Sequence, residues 1–411
     1  MYGTSSNANR SIIIIMRILL FVVYYLPSTS SAAKLINDLA VEFTNQGHDV
    51  TVVAPDHNTE KDFQCDYDDK VRVIRVKSGE IRSMSRILRT YREISLSKIL
   101  WKRANKFFNE NKFDLIVYYS PTIFFGPLVK RVKRLFDCPA YLILRDIFPQ
   151  WAVDSGILRK GFLHRLFKYY ENINYDAADI IGIQSPANKL YFIERELDKK
   201  YRIEVLYNWM SLNENYGSSG YFREKFGLNS KIVFFYGGNI GIAQDIDNII
   251  RVAVRMKDIP EAHFLLTGEG SEVPRLKREI KRLGLKNFSI YPALEQREYM
   301  RLIADIDIGL ISLDRNLKTH NYPGKMLGYM YHAKPILASI NPGNDLQDIL
   351  QMHEAGMVCH NGEDEVFYNQ ALQLIKNPDL RVQMGINGRK LLDSKFSVSN
   401  AASQILSHFS N

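Results

Sequence analysis

The chain has 411 residues, of which 46% are hydrophobic and 24% are charged, with 24 Gly and 14 Pro. This composition is typical of a globular protein and excludes a disordered, fibrous or repeat-built chain. The length is more than twice the roughly 150 residues of a typical domain, which predicts two domains. Cys65, Cys138 and Cys359 are too few and too far apart for a disulfide framework or a zinc or iron–sulfur site, and they indicate a reducing compartment.

The net charge of +9 is distributed unevenly along the chain. Residues 1–208 carry 31 Lys and Arg against 23 Asp and Glu, whereas residues 209–411 carry 23 against 22. Between Glu80 and Arg134 there are 13 basic and 4 acidic residues. Such a density is typical of contact with phosphates, nucleic acid or an anionic membrane surface.

The first elements are predicted to be a strand, a helix and a second strand. The apolar stretch Ile12–Leu26 is interrupted by Arg17 and is too short to span a membrane. A cleaved signal peptide is the alternative, but apolar residues at helical spacing over 32–43 and the run Asp49–Ala54 favour a buried strand at Arg17–Val23. Residues 1–15 are then a dispensable extension or an artefact of start-site choice.

Further apolar runs alternate with helical patterns, which predicts two doubly wound parallel sheets. The joint is expected between Asn208 and Gly220, giving domains at residues 16–210 and 211–411, with the C-terminal helix a candidate to pack back on the first domain. The predicted later strands are Phe113–Ser120, Tyr141–Phe148, Asp179–Gln184, Ile203–Tyr207, Lys231–Tyr236, Ala262–Thr267, Phe288–Tyr291, Ile306–Leu313, Pro335–Ser339 and Gly356–Cys359.

Ligands of such sheets bind beyond the carboxyl ends of the strands, so the loops there are candidate sites. Ser30 and Ser31 open the first predicted helix, where N–H groups favour an anion, although a simple Ser N-cap is the alternative. After a later strand, Gly237 and Gly238 allow close approach of a ligand to the backbone. Asn239 and Gln244 follow in the same loop and can donate hydrogen bonds.

The segments that follow this glycine turn carry a family resemblance. They are Thr267-Gly268-Glu269-Gly270, Tyr291-Pro292-Ala293-Leu294, Asn321-Tyr322-Pro323-Gly324-Lys325 and Lys334-Pro335-Ile336-Leu337-Ala338-Ser339. Their order, over roughly residues 16–408, resembles the GT-B glycosyltransferases of family 4, retaining nucleotide-sugar enzymes of bacterial polysaccharide assembly. The first half is similar to the subgroup with the O-antigen and capsule N-acetyl-L-fucosamine transferases, through Ser120-Pro121, Leu144-Arg145-Asp146-Ile147-Phe148-Pro149, Gln184-Ser185-Pro186 and Leu206-Tyr207-Asn208-Trp209.

The resemblance implies an α/β fold of GT-B type, two doubly wound Rossmann-like domains facing across a cleft, the first binding the acceptor and the second the donor. The donor-binding residues that it implies are Ser30, Ser31, Gly237, Gly238, Asn239, Gln244, Gly268, Glu269, Leu294, Pro323, Gly324 and Lys325. The implied catalytic residues are Arg145, Asp146 and Lys325. No cofactor or metal is expected. Asp66-Tyr67-Asp68 matches the metal-binding Asp-x-Asp pattern but is interpreted as part of a solvated polar loop.

Several residues depart from the family pattern or allow a simpler interpretation. His320 and Gly328 stand where many members place two Glu residues, the second of which holds the ribose. Arg145 and Asp146 could form a local ion pair, and Lys325 could face solvent. Tyr322-Pro323-Gly324 could be only a turn before a helix, and Glu269 only a turn residue.

The function expected from the resemblance is transfer of a sugar, an N-acetyl amino sugar such as N-acetyl-L-fucosamine, from a UDP-sugar to a lipid diphosphate-linked saccharide. The alternatives are a nucleotide-sugar epimerase of the same fold and a non-catalytic nucleic-acid binder, and the second is disfavoured because no recognition module is found. The expected location is the cytoplasm, peripheral on the inner face of the cell membrane. Ile81–Phe108 interleaves basic and apolar residues, including Trp101, and is predicted to contact an anionic membrane surface.

Overall fold

The computed structural model describes residues 15–28, 30–79, 86–214, 216–318 and 322–409. Of the predicted extension over residues 1–15, residues 1–14 lie outside the described residues, as do residues 81–85 of the predicted membrane element. The chain forms two compact units. Unit 1 comprises residues 1–148, 165–182 and 402–411, and unit 2 comprises residues 149–164 and 183–401.

The first sheet has eight strands in the order β3-β4-β2-β1-β5-β6-β7-β8. Their bounds are β1 (Arg17–Phe21), β2 (Asp49–Asp56), β3 (Phe63–Asp68), β4 (Val71–Lys77), β5 (Leu115–Ser120), β6 (Ala140–Leu144), β7 (Ile180–Ile183) and β8 (Ile203–Val205). The central strands β1, β5 and β6 are buried almost throughout, and β1 pairs in parallel with β2 and β5. The continuous apolar runs in the sequence are explained by this burial on both faces.

A hairpin formed by β3 and β4 was not predicted. The two strands pair in antiparallel fashion, with Asp66 opposite Val73, so Asp66-Tyr67-Asp68 lies in an edge strand and the prediction of a solvated loop is wrong. The side chain of Asp66 pairs with Arg75 at 3.4 Å. An edge strand with one solvated side needs only alternating polarity, which is a weaker sequence signal than a continuous apolar run.

The helices that surround this sheet include a long one whose apolar side packs inward. Within α2, Leu100 and Phe108 are buried, and Trp101 stacks on Phe108 with a ring-centroid distance of 5.8 Å. The helices are α1 (Ser31–Asn45), α2 (Arg86–Glu110), α3 (Gly126–Phe136), α4 (Gln150–Asp154), α5 (Phe162–Tyr175) and α6 (Asn188–Ile193). Within the described ranges, none of the helices is long and apolar enough to cross a membrane.

The second sheet has six strands in the order β11-β10-β9-β12-β13-β14, and all five pairings are parallel. The strands are β9 (Ile232–Gly237), β10 (Ala262–Thr267), β11 (Phe288–Tyr291), β12 (Ile308–Ser312), β13 (Ile336–Ile340) and β14 (Gly356–His360). The helices are α7 (Tyr221–Lys225), α8 (Asp247–Arg255), α9 (Val273–Leu283), α10 (Gln296–Asp305), α11 (Lys325–Tyr331), α12 (Leu346–Met352), α13 (Asp364–Lys376), α14 (Pro378–Leu391) and α15 (Val398–Leu406).

Two apolar clusters form the core of unit 2. Phe235 of β9 belongs to one cluster and its neighbour Phe234 to the other, because successive side chains of a strand point to opposite faces. The doubly wound prediction is confirmed for this sheet, whose parallel strands bring the ends of β9, β10 and β11 to one edge. The loops at that edge carry Gly238, Gly268 and Leu294.

Candidate functional site

A glycine turn follows β9 at the carboxyl edge of the second sheet. Gly238 has φ +118°, a conformation that disfavours any residue with a Cβ, and it is exposed. Its N–H donates to the carbonyl oxygen of Thr267 at 2.9 Å, whereas no acceptor among the described residues is found for the N–H of Asn239. The main-chain donor that this turn can offer a ligand is therefore Asn239, with Gly238 providing the open space beside it.

The neighbouring loop after β10 presses directly on this turn. A Cβ on Gly268, which has φ +156°, would lie 1.8 Å from the carbonyl oxygen of Gly238. The carbonyl oxygen of Glu269 accepts the N–H of Ile240 at 2.8 Å, while the exposed side chain of Glu269 extends from the same edge. Gly268 thus fixes the shape of the glycine turn by close backbone contact.

Lys325, the first residue of α11, brings a positive charge to the glycine turn. Its Nζ lies 3.4 Å from the centre of the Tyr236 ring, and a Cβ placed on Gly238 would lie 3.8 Å from its Cε. Burial lowers the pKa of Lys325 well below its ordinary value, and no carboxylate of the described residues forms an ion pair with it. The ring of Tyr236 offsets part of the cost of this burial. An anion at Gly238 would supply the missing negative charge.

The segment Tyr322-Pro323-Gly324 before Lys325 makes contacts with other residues of unit 2, so it is not only a turn before a helix. Gln184 Nε2 donates to the carbonyl oxygen of Tyr322 at 3.4 Å, and the Tyr322 ring stacks on Tyr207 with a centroid distance of 5.8 Å. Pro323 and Gly324 then lead into α11, where the carbonyl oxygen of Pro323 accepts the N–H of Met326 at 3.0 Å. These contacts fix where α11 begins and so where Lys325 lies.

Asn239 and Gln244 interact with each other across the turn. Asn239 Nδ2 donates to Gln244 Oε1 at 2.8 Å, and the N–H of Gly241 donates to the same oxygen at 3.1 Å. The Oε1 atom of Gln244 is therefore engaged, and the loop from Gly237 to Gln244 is closed on itself. Leu294 follows β11 at the same edge, with its side chain packed against the core and the neighbouring Ala293 exposed.

The predicted residues of unit 1 follow β1 and β6, two strands that β5 separates in the sheet. Ser30 is the N-cap residue of α1, and its side chain makes no capping hydrogen bond, while Ser31 is exposed. Arg145 directly follows β6 and is buried, which lowers its pKa to about 10 and leaves it charged at neutral pH. Burial raises the pKa of the adjacent Asp146, and the charge of Arg145 opposes that rise.

His320 and Gly328 occupy the two positions where many members of the family have Glu. His320 lies outside the described residues. Gly328 lies in α11, where a Cβ would be 2.9 Å from Ile303 Cδ1, so this face of the helix packs against α10 and a larger residue would displace the Ile303 side chain.

Two aromatic residues at the site were not singled out from the sequence. Tyr236 donates its hydroxyl hydrogen to the carbonyl oxygen of Asn239 at 2.7 Å and supports Lys325 with its ring. The Tyr299 ring lies beneath Gly237, where an added Cβ would be 2.3 Å from Cε2. The only sequence signal was an aromatic residue directly before the glycine pair, which is also common in buried strands.

Two families match the chain, one for each half. Residues 32–209 match the Glycosyl transferase 4-like domain, and residues 221–391 match Glycosyl transferases group 1. The Probable glycosyltransferase WbjE of Pseudomonas aeruginosa is 24% identical over 53% of this chain and 55% of its own length. WcaI of Escherichia coli (strain K12), named for glycosyl transfer in colanic acid biosynthesis, is 22% identical over 76% of this chain and 80% of its own length.

Solved structures share the fold at low identity. Sucrose-phosphate synthase from Thermosynechococcus elongatus superposes with a TM-score of 0.71 and 16% identity, covering 96% of this chain and 98% of that one. Anabaena Alr3699/HepE in complex with UDP superposes with a TM-score of 0.66 and 16% identity, over 96% and 100% of the two chains. The solved structures show the shared fold, and the two family matches show that the chain belongs to the GT-B glycosyltransferases of family 4.

Proposed function

We propose that the protein is a retaining glycosyltransferase that moves a sugar from a UDP-sugar to a lipid diphosphate-linked saccharide in the assembly of a bacterial surface polysaccharide, O-antigen or capsule. The observation that carries the proposal is the Lys325 ammonium, which lies beside the open backbone of Gly238 without a carboxylate partner among the described residues. A nucleoside diphosphate supplies the negative charge that this arrangement lacks. The solved Alr3699/HepE complexes contain UDP and UDP-glucose, which supports UDP as the nucleotide.

In the proposed reaction, Lys325 and the N–H of Asn239 stabilise the negative charge that develops on the leaving diphosphate. The bond between the anomeric carbon and the phosphate oxygen breaks, and the acceptor hydroxyl oxygen bonds to the same face of that carbon. The proton of the acceptor hydroxyl passes to the leaving phosphate. Arg145 and Asp146 are assigned to the acceptor side on the family resemblance, and Arg145 is charged at neutral pH.

The sugar and the acceptor are proposed on the likeness to surface-polysaccharide enzymes. WcaI is named for colanic acid biosynthesis, and the sequence motifs resemble the N-acetyl-L-fucosamine transferases. A lipid-linked acceptor places the protein at the inner face of the cell membrane. Within the predicted membrane element, Leu100 is buried and Trp101 stacks on Phe108, so these two side chains pack against protein.

The test is transfer by the purified protein to a short-chain lipid diphosphate saccharide, with UDP-N-acetylglucosamine, UDP-N-acetyl-L-fucosamine and GDP-fucose as donors. We expect transfer from a UDP-N-acetyl amino sugar, with an anomeric configuration in the product that NMR shows to equal that of the donor. Donor turnover that is equally fast without any acceptor would instead indicate an epimerase or a hydrolase. Preference for GDP-fucose would refute the choice of nucleotide.

A further inference from the structure

The 155–163 turn, defined here as the turn after α4 together with the first two residues of α5, exposes large apolar side chains. Ile157 is 63% exposed, Phe162 is 84% exposed and Leu163 is 44% exposed. All three belong to unit 2, and no other large apolar side chain in the described ranges is more exposed than Phe162. Apolar side chains gathered in one short exposed segment are typical of a surface that contacts a partner or a membrane.

The charges of this segment are of one sign. Arg159 and Lys160 lie between the apolar residues, both are exposed, and neither forms an ion pair with any described residue. From Ser155 to Tyr170 the sequence has four Lys and Arg and no Asp or Glu. The 155–163 turn is therefore both apolar and basic, which is the combination that binds the headgroup boundary of an anionic bilayer.

Helix α2, the membrane element predicted from the sequence, lacks this combination in its described part. Leu100 and Phe108 of this helix are buried and Trp101 stacks on Phe108, while Lys98, Lys102 and Lys106 are exposed. Basic residues alone attract anionic lipid but do not insert. The 155–163 turn exposes large apolar side chains, whereas Leu100 and Phe108 of α2 are buried.

We infer that the 155–163 turn is a membrane-docking surface, with Ile157, Phe162 and Leu163 buried at the headgroup boundary of an anionic bilayer and Arg159 and Lys160 on lipid phosphates. The inference rests on the proposed function, because a lipid-linked acceptor requires the enzyme to reach the bilayer. A symmetric contact with a second copy would bring Arg159 and Lys160 of both copies close together, and like charges oppose such a pairing. The charge of the surface thus favours lipid over a copy of this chain.

The experiment is flotation of the full-length protein with vesicles of two parts phosphatidylcholine and one part phosphatidylglycerol, and with phosphatidylcholine alone. We expect the wild type to float with the anionic vesicles and to be released by salt. The double variant Ile157→Ser/Phe162→Ser should partition on the order of tenfold less because it loses two apolar side chains. Arg159→Gln/Lys160→Gln should lose roughly tenfold or more on anionic vesicles, since each charge adds about 1 kcal/mol of attraction.

The matched control is Met352→Ser/Val382→Ser, which removes two apolar side chains that are 78% and 62% exposed elsewhere in unit 2. It should float as the wild type does. The inference is overturned if the wild type stays in solution, if Ile157→Ser/Phe162→Ser floats equally well, or if that variant instead abolishes a dimer seen by sedimentation.

Transfer to a water-soluble acceptor separates this inference from the proposed function. Ile157→Ser/Phe162→Ser should retain full activity on a short-chain acceptor in detergent and lose activity only on acceptor embedded in vesicles. Loss on both acceptors with an unchanged melting temperature would overturn the docking role. If the wild type floats but transfers no sugar to either acceptor, the proposed function fails while the docking surface stands.

Discussion

Burial of the Lys325 ammonium costs free energy that a bound anion can offset. A partly buried ammonium without a carboxylate partner is disfavoured in the free protein, and the Tyr236 ring at 3.4 Å compensates only in part. We expect the same ammonium to interact strongly with a diphosphate, because no carboxylate of the described residues pairs with it. Binding and stability should therefore respond in opposite directions when Lys325 is replaced.

We expect Lys325→Met to weaken UDP binding roughly ten- to a hundredfold, since a charge-assisted hydrogen bond contributes about 1.5–3 kcal/mol. Its melting temperature without ligand should equal or exceed that of the wild type. Calorimetry with UDP and a thermal melt measure the two effects, and Lys257→Met, which removes an exposed lysine from the same unit, is the control. Wild-type affinity in Lys325→Met would exclude Lys325 from the donor site.

The lowered pKa of Lys325 also predicts a pH dependence of UDP binding. Bound UDP should favour the charged ammonium and so raise the pKa of Lys325, and the affinity should fall as pH rises through the lowered pKa of the free protein. In that window binding takes up a proton, which calorimetry in buffers of different ionisation enthalpy detects. Lys325→Met should lack this proton uptake.

Gly238 and Gly268 meet different constraints although they lie in contact. An added Cβ at Gly238 has space, 3.8 Å from Lys325 Cε, so Gly238→Ala should fold with modest backbone strain and obstruct the diphosphate. An added Cβ at Gly268 would lie 1.8 Å from the Gly238 carbonyl oxygen, so Gly268→Ala should lose about 1–3 kcal/mol of stability as well as UDP affinity. Denaturant unfolding separates the two variants. Gly217→Ala, where an added Cβ meets nothing within 4 Å, should resemble the wild type in both measurements.

At the scale of elements, Asp305 at the end of α10 fixes the start of α7. Its carboxylate accepts the N–H groups of Gly220 at 3.0 Å and Phe222 at 3.0 Å, and the hydroxyl of Ser218 at 2.7 Å. Burial alone would raise the pKa of Asp305, but these hydrogen bonds outweigh it and hold the pKa below its ordinary value. The link between α10 and α7 therefore depends on the charged form of one carboxylate.

We expect Asp305→Asn to reduce the free energy of unfolding by roughly 2 kcal/mol at neutral pH, because it weakens several charge-assisted hydrogen bonds. A lowered pKa gives stability that is present above the ordinary carboxyl pKa and lost as pH falls through the folded value. The difference between wild type and variant should thus be constant above about pH 4 and shrink below it. Asp258→Asn, an exposed carboxylate in the same unit, should show no such difference.

For the whole molecule, we expect positive charge from the chain itself to take the place of a metal in the proposed reaction. Lys325 supplies that charge in unit 2, while Asp66 of the Asp-x-Asp sequence pairs with Arg75 in an edge strand of unit 1. We expect the transfer rate and the UDP-induced thermal shift to survive exhaustive dialysis against EDTA. Lost activity that Mg²⁺ or Mn²⁺ restores would contradict this.

Apart from the β3–β4 hairpin, the alternation of strands and helices was predictable from the sequence alone. Ala262–Thr267 and Phe288–Tyr291 were predicted with the bounds that the structure has, because parallel strands buried on both faces require short continuous apolar runs. Gly238 was also predictable as an open position, since two glycines directly after a buried strand indicate close approach to the backbone. Patterns of this kind involve only a few neighbouring residues, so they can be recognised in the sequence alone.

Only the tertiary structure decided how residues far apart in the sequence meet. The β3–β4 hairpin escaped prediction because its edge strand is half-solvated, and the support of Lys325 by Tyr236 depends on β9 and α11 meeting at one sheet edge. The sequence also did not reveal that Leu100 and Trp101 pack inward or that Phe162 is exposed. An amphipathic pattern does not determine whether protein or lipid covers its apolar side. Packing against the rest of the chain makes that choice.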